Sequence, residues 1–275
     1  MRAPLGAICF VVLFSGMGCG ELESDERREA LEGPPAGGPS SADPAALELA
    51  DSVVAELGGW KAWNQARYLE FTFSITANGE VRRRTTHRWD RFTGEYRLDG
   101  VTRDGKPFVA IWNLQSGGGE TWLADQELAG EEEHEQLERA RALCVNDCYW
   151  FLMPFKLHDP GVHLQDAGAR VDSLGKSWRV VALTFDDNVG MTSGDRYWVY
   201  VDPATGEVGR WDYVLESYEP NASPSMFSWQ EWQKIGPVRL ALDRRSADGN
   251  VEIRFEDVVV ASGPPQGAFT YQPGS

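Results

Sequence analysis

Short segments with strand patterning recur through most of this chain, and they constrain its fold more than any other feature. In residues 68–76, apolar side chains alternate with polar ones, and Asn78-Gly79 then marks a tight hairpin before a partner segment at 81–89. Comparable segments follow at 95–98, 106–114, 120–123, 178–185, 197–201, 208–218, 227–235, 238–242 and 251–260. The pattern predicts about ten or eleven strands, well above the average strand content.

Helical patterning is limited to two or three segments. Asp43 and Pro44 suit an N-cap and a first helical position, and apolar residues recur at helical spacing until Gly58-Gly59 ends the pattern. An acidic stretch at 131–143 has an apolar face that includes Leu137 and Ala140. We expect these helices to cover one side or one end of the sheet.

Several strands are apolar on both sides. In 196–201, Trp198 and Tyr200 point one way, while Tyr197 and Val199 point the other, so neither face can be wholly in water. A strongly curved half-barrel with capping helices on its concave side satisfies this pattern. The predicted fold class is therefore α+β with a mostly antiparallel sheet. Space that the helices leave unfilled could hold an apolar ligand.

The first residues predict export. Arg2 precedes a ten-residue apolar run, which is too short to span a bilayer, and small residues then lead to Cys19. This arrangement resembles the lipobox of bacterial lipoproteins, although Gly16 stands where Leu is usual, and ordinary cleavage before Cys19 is the alternative. We predict a signal peptide at 1–18 and a lipidated Cys19 followed by a disordered tether to residue 42. A single domain is predicted at 43–275.

Charge excludes some partners. The net charge of −16 repels phosphate backbones, and the longest basic run is only Arg82 to Arg84, so nucleic acid is not an expected partner. The same charge disfavours adsorption to anionic lipids. We therefore expect membrane attachment through the lipid on Cys19, facing the periplasm. The absence of Asp at position 20 favours the outer membrane.

Cys144 and Cys148 form the close pair of cysteines in the mature chain. On a helix their Cα atoms would lie about 6 Å apart, within the range of a disulfide. An exported protein permits such a bridge, which we favour over free thiols. A metal site is the weakest alternative, because no second Cys or His pair has zinc-like spacing. No metal and no cofactor is predicted.

Residues 149–157 form the most distinctive apolar segment. They could form an adaptable cavity mouth, since Met and aromatic side chains fit irregular apolar shapes, or they could simply pack in the core. The side chains predicted to line a hydrophobic ligand are Phe71, Phe73, Trp150, Phe151, Met153, Phe155, Trp198 and Tyr200.

Catalytic motifs are sparse. There is no Gly-x-Ser-x-Gly elbow and no phosphate-binding loop. His158 and His163 share neither a helical nor a strand face, so their convergence with Asp159 would require a special loop. We predict no enzymatic activity; a hydrolase that uses these residues is the third hypothesis.

Three segments carry a family resemblance. They are Leu57-Gly58-Gly59-Trp60-Lys61-Ala62-Trp63 before the first strand, the run 149–164 and the run 183–213, and the closing Phe255 to Val260 also fits. These residues resemble the LolA-like superfamily of half-barrel envelope proteins, within it a family of uncharacterised bacterial lipoproteins. The resemblance implies a half-open barrel whose apolar cavity accepts acyl chains, without catalytic machinery.

The sequence thus supports two functions. The first is a membrane-anchored lipoprotein whose cavity binds or shields an acyl-chain ligand. The alternative is a structural or protein-binding envelope module with a filled core. The sequence names no protein partner.

Overall fold

The structure is a computed structural model that describes residues 37–187, 189, 194–219 and 221–272. The predicted signal peptide, Cys19 and most of the predicted tether lie outside these described residues.

One mixed sheet of 14 strands contains every described strand. Its spatial order is β1-β8-β9-β10-β11-β12-β13-β14-β2-β3-β4-β5-β6-β7, and only the β1–β8 pairing is parallel. In the described chain the two edge strands, β1 and β7, are not neighbours, so the sheet is open. The strands are β1 Ser41–Ala42, β2 Tyr68–Ala77, β3 Glu80–Asp90, β4 Glu95–Val101, β5 Pro107–Asn113, β6 Gly119–Leu123, β7 Gln126–Glu127, β8 Val162–Val171, β9 Ser177–Phe185, β10 Arg196–Val201, β11 Val208–Val214, β12 Ser225–Ile235, β13 Val238–Ser246 and β14 Val251–Ala261.

The predicted antiparallel class is confirmed, but the predicted number of strands is too low. Two of the additional strands, β1 and β7, have two residues each. The third, β8, lacks apolar alternation beyond Leu164 and contains an irregularity in its pairing between Asp166 and Ala169. A pattern search for period two therefore misses it.

Helices follow the sheet's inner face. The opening helix α1 is Pro44–Glu56, and it packs against β8, β9 and a 3₁₀ helix, Met153–His158. The short helix α2 is Gly59–Gln65. The longest helix, α3, is Glu131–Leu152 and continues nine residues beyond the stretch that the sequence pattern predicts. Among the described helices, none combines the length and apolarity needed to cross a membrane.

We call residues 146–158 the plug. Every plug residue is buried except the half-buried Lys156. Successive residues of an α-helix point about 100° apart, so five consecutive residues cover all directions around its axis. Asp147 contacts β3, Cys148 contacts β4, Tyr149 and Trp150 contact β10 to β12, and Phe151 contacts β2 and β14. Strands therefore surround the helix, which requires the sheet to curve around it.

The outer face of the sheet differs from the inner face. From β12 to β4 it carries cross-strand ion pairs, among them Arg254 with Glu231, Arg84 with Glu256 and Arg88 with Glu70. Opposite charges that face each other across strands stabilise a sheet modestly and keep its surface solvated. The inner face holds the apolar core.

Candidate functional site

Six of the eight predicted lining residues fill the interior. Phe71, Phe73, Trp150, Phe151, Met153 and Phe155 are all at most 4% exposed and belong to one core cluster. The ring of Phe151 lies 4.3 Å from that of Phe71 and 4.7 Å from that of Phe255, and Trp150 lies 4.6 Å from Trp211. Rings at these distances are in van der Waals contact. Of the two roles that the sequence left open for residues 149–157, the structure shows core packing.

The other two predicted lining residues, Trp198 and Tyr200, do not face the interior. The neighbouring Tyr197, Val199 and Val201 are fully buried in the core, so alternation along β10 places Trp198 and Tyr200 on the outer face. There the guanidinium of Arg210 lies 4.4 Å from the Tyr200 ring centre. The sequence shows that both faces are apolar, but not which one the helices cover.

A small apolar cleft remains between the plug and strands β12 and β13. It is open to solvent, and it encloses no volume that a water molecule could fill. Ligand pockets usually measure about 300–1,000 Å³. The cleft is lined by Leu57, Phe151, Pro154, Phe155, Trp229, Trp232, Arg239, Leu240 and Ala241.

A buried polar network holds the start of the plug. Arg83 donates two hydrogen bonds to the Asp147 carboxylate at 2.9 and 2.6 Å, and His87 Nε2 lies 3.0 Å from the same carboxylate. Thr85 and Asn146 donate two more, at 3.0 and 2.7 Å. Both carboxylate oxygens therefore accept as many hydrogen bonds as they can, as a buried charge requires.

The network has a defined protonation pattern. Burial alone would raise the pKa of Asp147, but the Arg83 guanidinium and the hydrogen bond from His87 outweigh burial and lower that pKa. Burial lowers the pKa of His87 despite the nearby Asp147. His87 is therefore neutral. The bonding pattern assigns its proton to Nε2, so Nδ1 accepts a 2.8 Å hydrogen bond from the Tyr96 hydroxyl.

The sequence pattern did not predict this network. Its residues are far apart in sequence, and Asp147 comes 64 positions after Arg83. A signal does exist in β3, because Arg83, Thr85 and His87 pair with the core residues Ile75, Phe73 and Phe71 and so share their face. Polar residues at three successive inward positions predict a buried polar partner.

Arg244 is a second residue that the sequence did not reveal. It is fully buried, and burial lowers its pKa well below the ordinary value. Its guanidinium lies 3.4 Å from the Trp229 ring centre and donates to the backbone carbonyls of Asp243 and Trp150. Trp150 is in the last turn of α3, so Arg244 satisfies a carbonyl at the negative end of the helix dipole.

Cys144 and Cys148 lie one turn apart on α3, and both are buried, free thiols. The predicted disulfide is therefore not formed in this structure. The Cys148 sulfur lies 3.1 Å from the Tyr96 hydroxyl, and burial raises the pKa of the Cys144 thiol. Among the described residues there is no cluster of three His, Cys, Asp or Glu side chains suited to a metal ion.

The two histidines of the third hypothesis are separated by the fold. His158 is buried, with its ring 5.2 Å from that of Trp60, and it lies 3.4 Å from Asp51. His163 is on the opposite side of β8 from the core residues Val162 and Leu164. Its Nδ1 lies 2.7 Å from the Ser41 hydroxyl and its Nε2 lies 2.7 Å from Asp186. Asp159 instead pairs with Lys156.

Several solved structures are similar to this chain at low sequence identity. A DUF1329 family protein from Desulfovibrio piger shares 13% identity at a TM-score of 0.46, with 82% of this chain and 97% of that chain covered. A putative outer membrane lipoprotein-sorting protein domain from Vibrio parahaemolyticus shares 12% identity at 0.44, with 82% and 96% covered. A LolA superfamily protein from Nitrosomonas europaea shares 13% at 0.41, with 81% and 97% covered.

No family model and no curated protein sequence matches the chain. Identities of 12–13% and TM-scores below 0.5 leave the function of this chain to be argued from its own residues.

Proposed function

We propose that this protein is an exported binding module of the bacterial cell envelope, anchored by a lipid on Cys19, that binds a partner protein through the cleft beside the plug. The observation that carries this proposal is the filled interior, which leaves a shallow apolar cleft at its boundary and no enclosed space for a ligand. A hollow half-barrel would favour an enclosed lipid instead.

The apolar lining of the cleft supports contact with a partner side chain. The cleft is open to solvent and holds no enclosed space for even one water, so it is a shallow apolar depression that a partner's side chain would cover rather than fill. Protein interfaces often derive most of their binding energy from a few large side chains that pack against such apolar surfaces. The lining residues Leu57, Phe155 and Leu240 offer such a side chain an apolar surface.

The rim of the cleft is polar. Arg239 pairs with Glu56 and, at 2.7 Å, with Glu207, and its guanidinium lies 5.3 Å from the Trp232 ring centre. An apolar centre with a charged rim is the usual arrangement of a protein-binding surface. Because Arg239 is neutralised by two carboxylates, the rim favours polar contacts with a partner over capture of a free anion.

The second candidate function is the binding of one end of an acyl chain against the same cleft. The apolar lining favours this function, which keeps a lipid as the ligand but limits the contact to a short part of its chain. A longer stretch of acyl chain would have to displace plug residues that contact the strands.

A cleft-filling variant tests both candidates. Ala241 is 1% exposed at the base of the cleft, so Ala241→Leu pushes a larger side chain into its lining, and an unchanged melting temperature must show that the variant remains folded. A photo-crosslinking residue at the exposed Lys234 should join the protein to one partner in intact cells, and Ala241→Leu should abolish that adduct. The purified partner should bind the variant at least about tenfold more weakly than wild type.

The matched control is Ala182→Leu on the outer face, which should leave binding unchanged. Fatty acid that binds wild type in native mass spectrometry, but not Ala241→Leu, would favour the second candidate. If cleft filling alters neither protein nor lipid binding, the proposed function is wrong. Incorporation of an alkyne fatty acid, lost in Cys19→Ala, tests the anchor separately.

A further inference from the structure

We propose that Ser41, His163 and Asp186 form a hydrolytic centre at the β1 edge of the sheet, with small uncharged esters as its substrate class. This inference is independent of the binding cleft and departs from the expectation that the chain has no catalytic set. The three residues are 122 and 23 positions apart in sequence, and only the β1–β8–β9 pairing brings them together.

The geometry is that of a nucleophile, a base and a group that orients the base. The Ser41 hydroxyl lies 2.7 Å from His163 Nδ1, and Asp186 Oδ1 lies 2.7 Å from His163 Nε2. Both distances are within the range for an activated nucleophile. Such constellations recur on unrelated folds and are identified by geometry rather than by sequence order.

The protonation states suit the same roles. Hydrogen bonds from Ser40, at 2.6 Å, and from His163 lower the pKa of Asp186, so its carboxylate is ionised and only accepts hydrogen bonds. His163 Nε2 must then carry the proton that it donates to Asp186. In the neutral tautomer with its proton on Nε2, His163 has a lone pair on Nδ1 placed to accept the hydroxyl proton of Ser41, which is the arrangement that a general base needs.

Exposure makes the centre accessible. The side chain of His163 is 29% exposed and that of Asp186 is 44% exposed, and Ser41 lies at the surface. Substrate can therefore reach Ser41 without any opening of the fold. Exposed polar pairs add little to folding stability, so a contribution to stability does not explain why these three side chains are in contact. The nearby carboxylates of Asp186 and Asp187 and the net charge of −16 disfavour anionic substrates.

The reaction balances with water as the only co-reactant. Ser41 Oγ attacks the ester carbonyl carbon while its proton passes to His163 Nδ1, and Asp186 stabilises the imidazolium at Nε2. Collapse of the intermediate breaks the bond to the alcohol oxygen, which leaves with the proton from His163. Water then attacks the acyl group on Ser41 and gives its proton to His163. The carboxylic acid leaves as that proton returns to Ser41 Oγ.

The experiment measures hydrolysis of p-nitrophenyl acetate by the full-length protein and covalent labelling by a fluorophosphonate, located by peptide mass spectrometry. Wild type should be labelled at Ser41. Ser41→Ala should lose the label, and it and His163→Ala should each lower kcat/KM about 100-fold, the scale of general base catalysis. Asp186→Asn should lower kcat and leave KM unchanged, because Asp186 positions the base and does not contact substrate.

The control variant is Thr184→Ala, on the residue that pairs with His163 in β9, which should keep the label and the wild-type rate. Equal melting temperatures would show that Ser41→Ala remains folded. Failure of the label to appear on Ser41, or equal hydrolysis by wild type and folded Ser41→Ala, would overturn the proposal.

Discussion

The two ends of the plug are held by different kinds of contact. At its start, the Asp147 carboxylate accepts five hydrogen bonds in a fully buried site. At its end, the Phe155 ring stacks on Trp63 at 4.2 Å, and the Arg91 guanidinium lies 3.6 Å from the centre of the same Trp63 ring. We call these the polar anchor and the aromatic anchor.

The two kinds of contact have different effects on the plug: one fixes its position, and the other mainly stabilises it. Hydrogen bonds are directional, so the polar anchor permits one placement of α3 against β3, whereas apolar contact depends mainly on buried area and tolerates small shifts. A buried charge stabilises only while all its partners are in place. We therefore infer that the polar anchor fixes where the plug lies, and that the aromatic anchor contributes free energy with little specificity.

The largest effect is expected from Asp147→Ala. The substitution leaves the buried His87 and the partly buried Arg83 without their acceptor, and loss of one partner from a buried pair costs about 3–5 kcal/mol. Urea unfolding should show a decrease of about 4 kcal/mol in the free energy of unfolding. Glu135→Ala, on the exposed half of α3, should change it by less than about 0.5 kcal/mol. A loss below 1 kcal/mol for Asp147→Ala would show that the polar anchor is not needed.

A smaller effect is expected at the aromatic anchor. Phe155→Ala removes a buried ring and leaves a cavity, which should lower the free energy of unfolding by about 3 kcal/mol. The conservative variants sharpen the comparison. Phe155→Leu should lower the free energy of unfolding by only about 1 kcal/mol because the site still receives an apolar side chain. Asp147→Asn should remain almost as unstable as Asp147→Ala, because the amide cannot accept all the hydrogen bonds of the carboxylate. Equal recovery at both anchors would contradict the distinction between them.

The two anchors also differ in how far the sequence predicts them. Alternation predicted the inward position of Phe71 and Phe73, which are both buried in the core. The plug itself escaped prediction as a helix, because residues 146–152 are buried on every side and so show no helical period. Sequence also could not show that the interior is filled, since the same aromatic residues are expected whether they line a cavity or close it.

The smallest effect concerns pH and distinguishes the anchors by their chemistry. Burial lowers the pKa of His87, while an unfolded chain has an ordinary histidine pKa of about 6.5. As pH falls below that value, the unfolded state binds a proton that the folded state does not, so stability falls by up to about 1.4 kcal/mol per pH unit. His87→Gln should remove this dependence of stability on pH between about pH 6.5 and 5, as measured by urea unfolding at each pH.

Two control variants should keep the wild-type pH dependence. His134→Gln lies on the exposed half of α3, and Phe155→Leu changes the aromatic anchor, which contains no histidine. If His87→Gln retained the full slope, His87 would have to be protonated within the folded network, and its bond to the Tyr96 hydroxyl would then be reversed or lost.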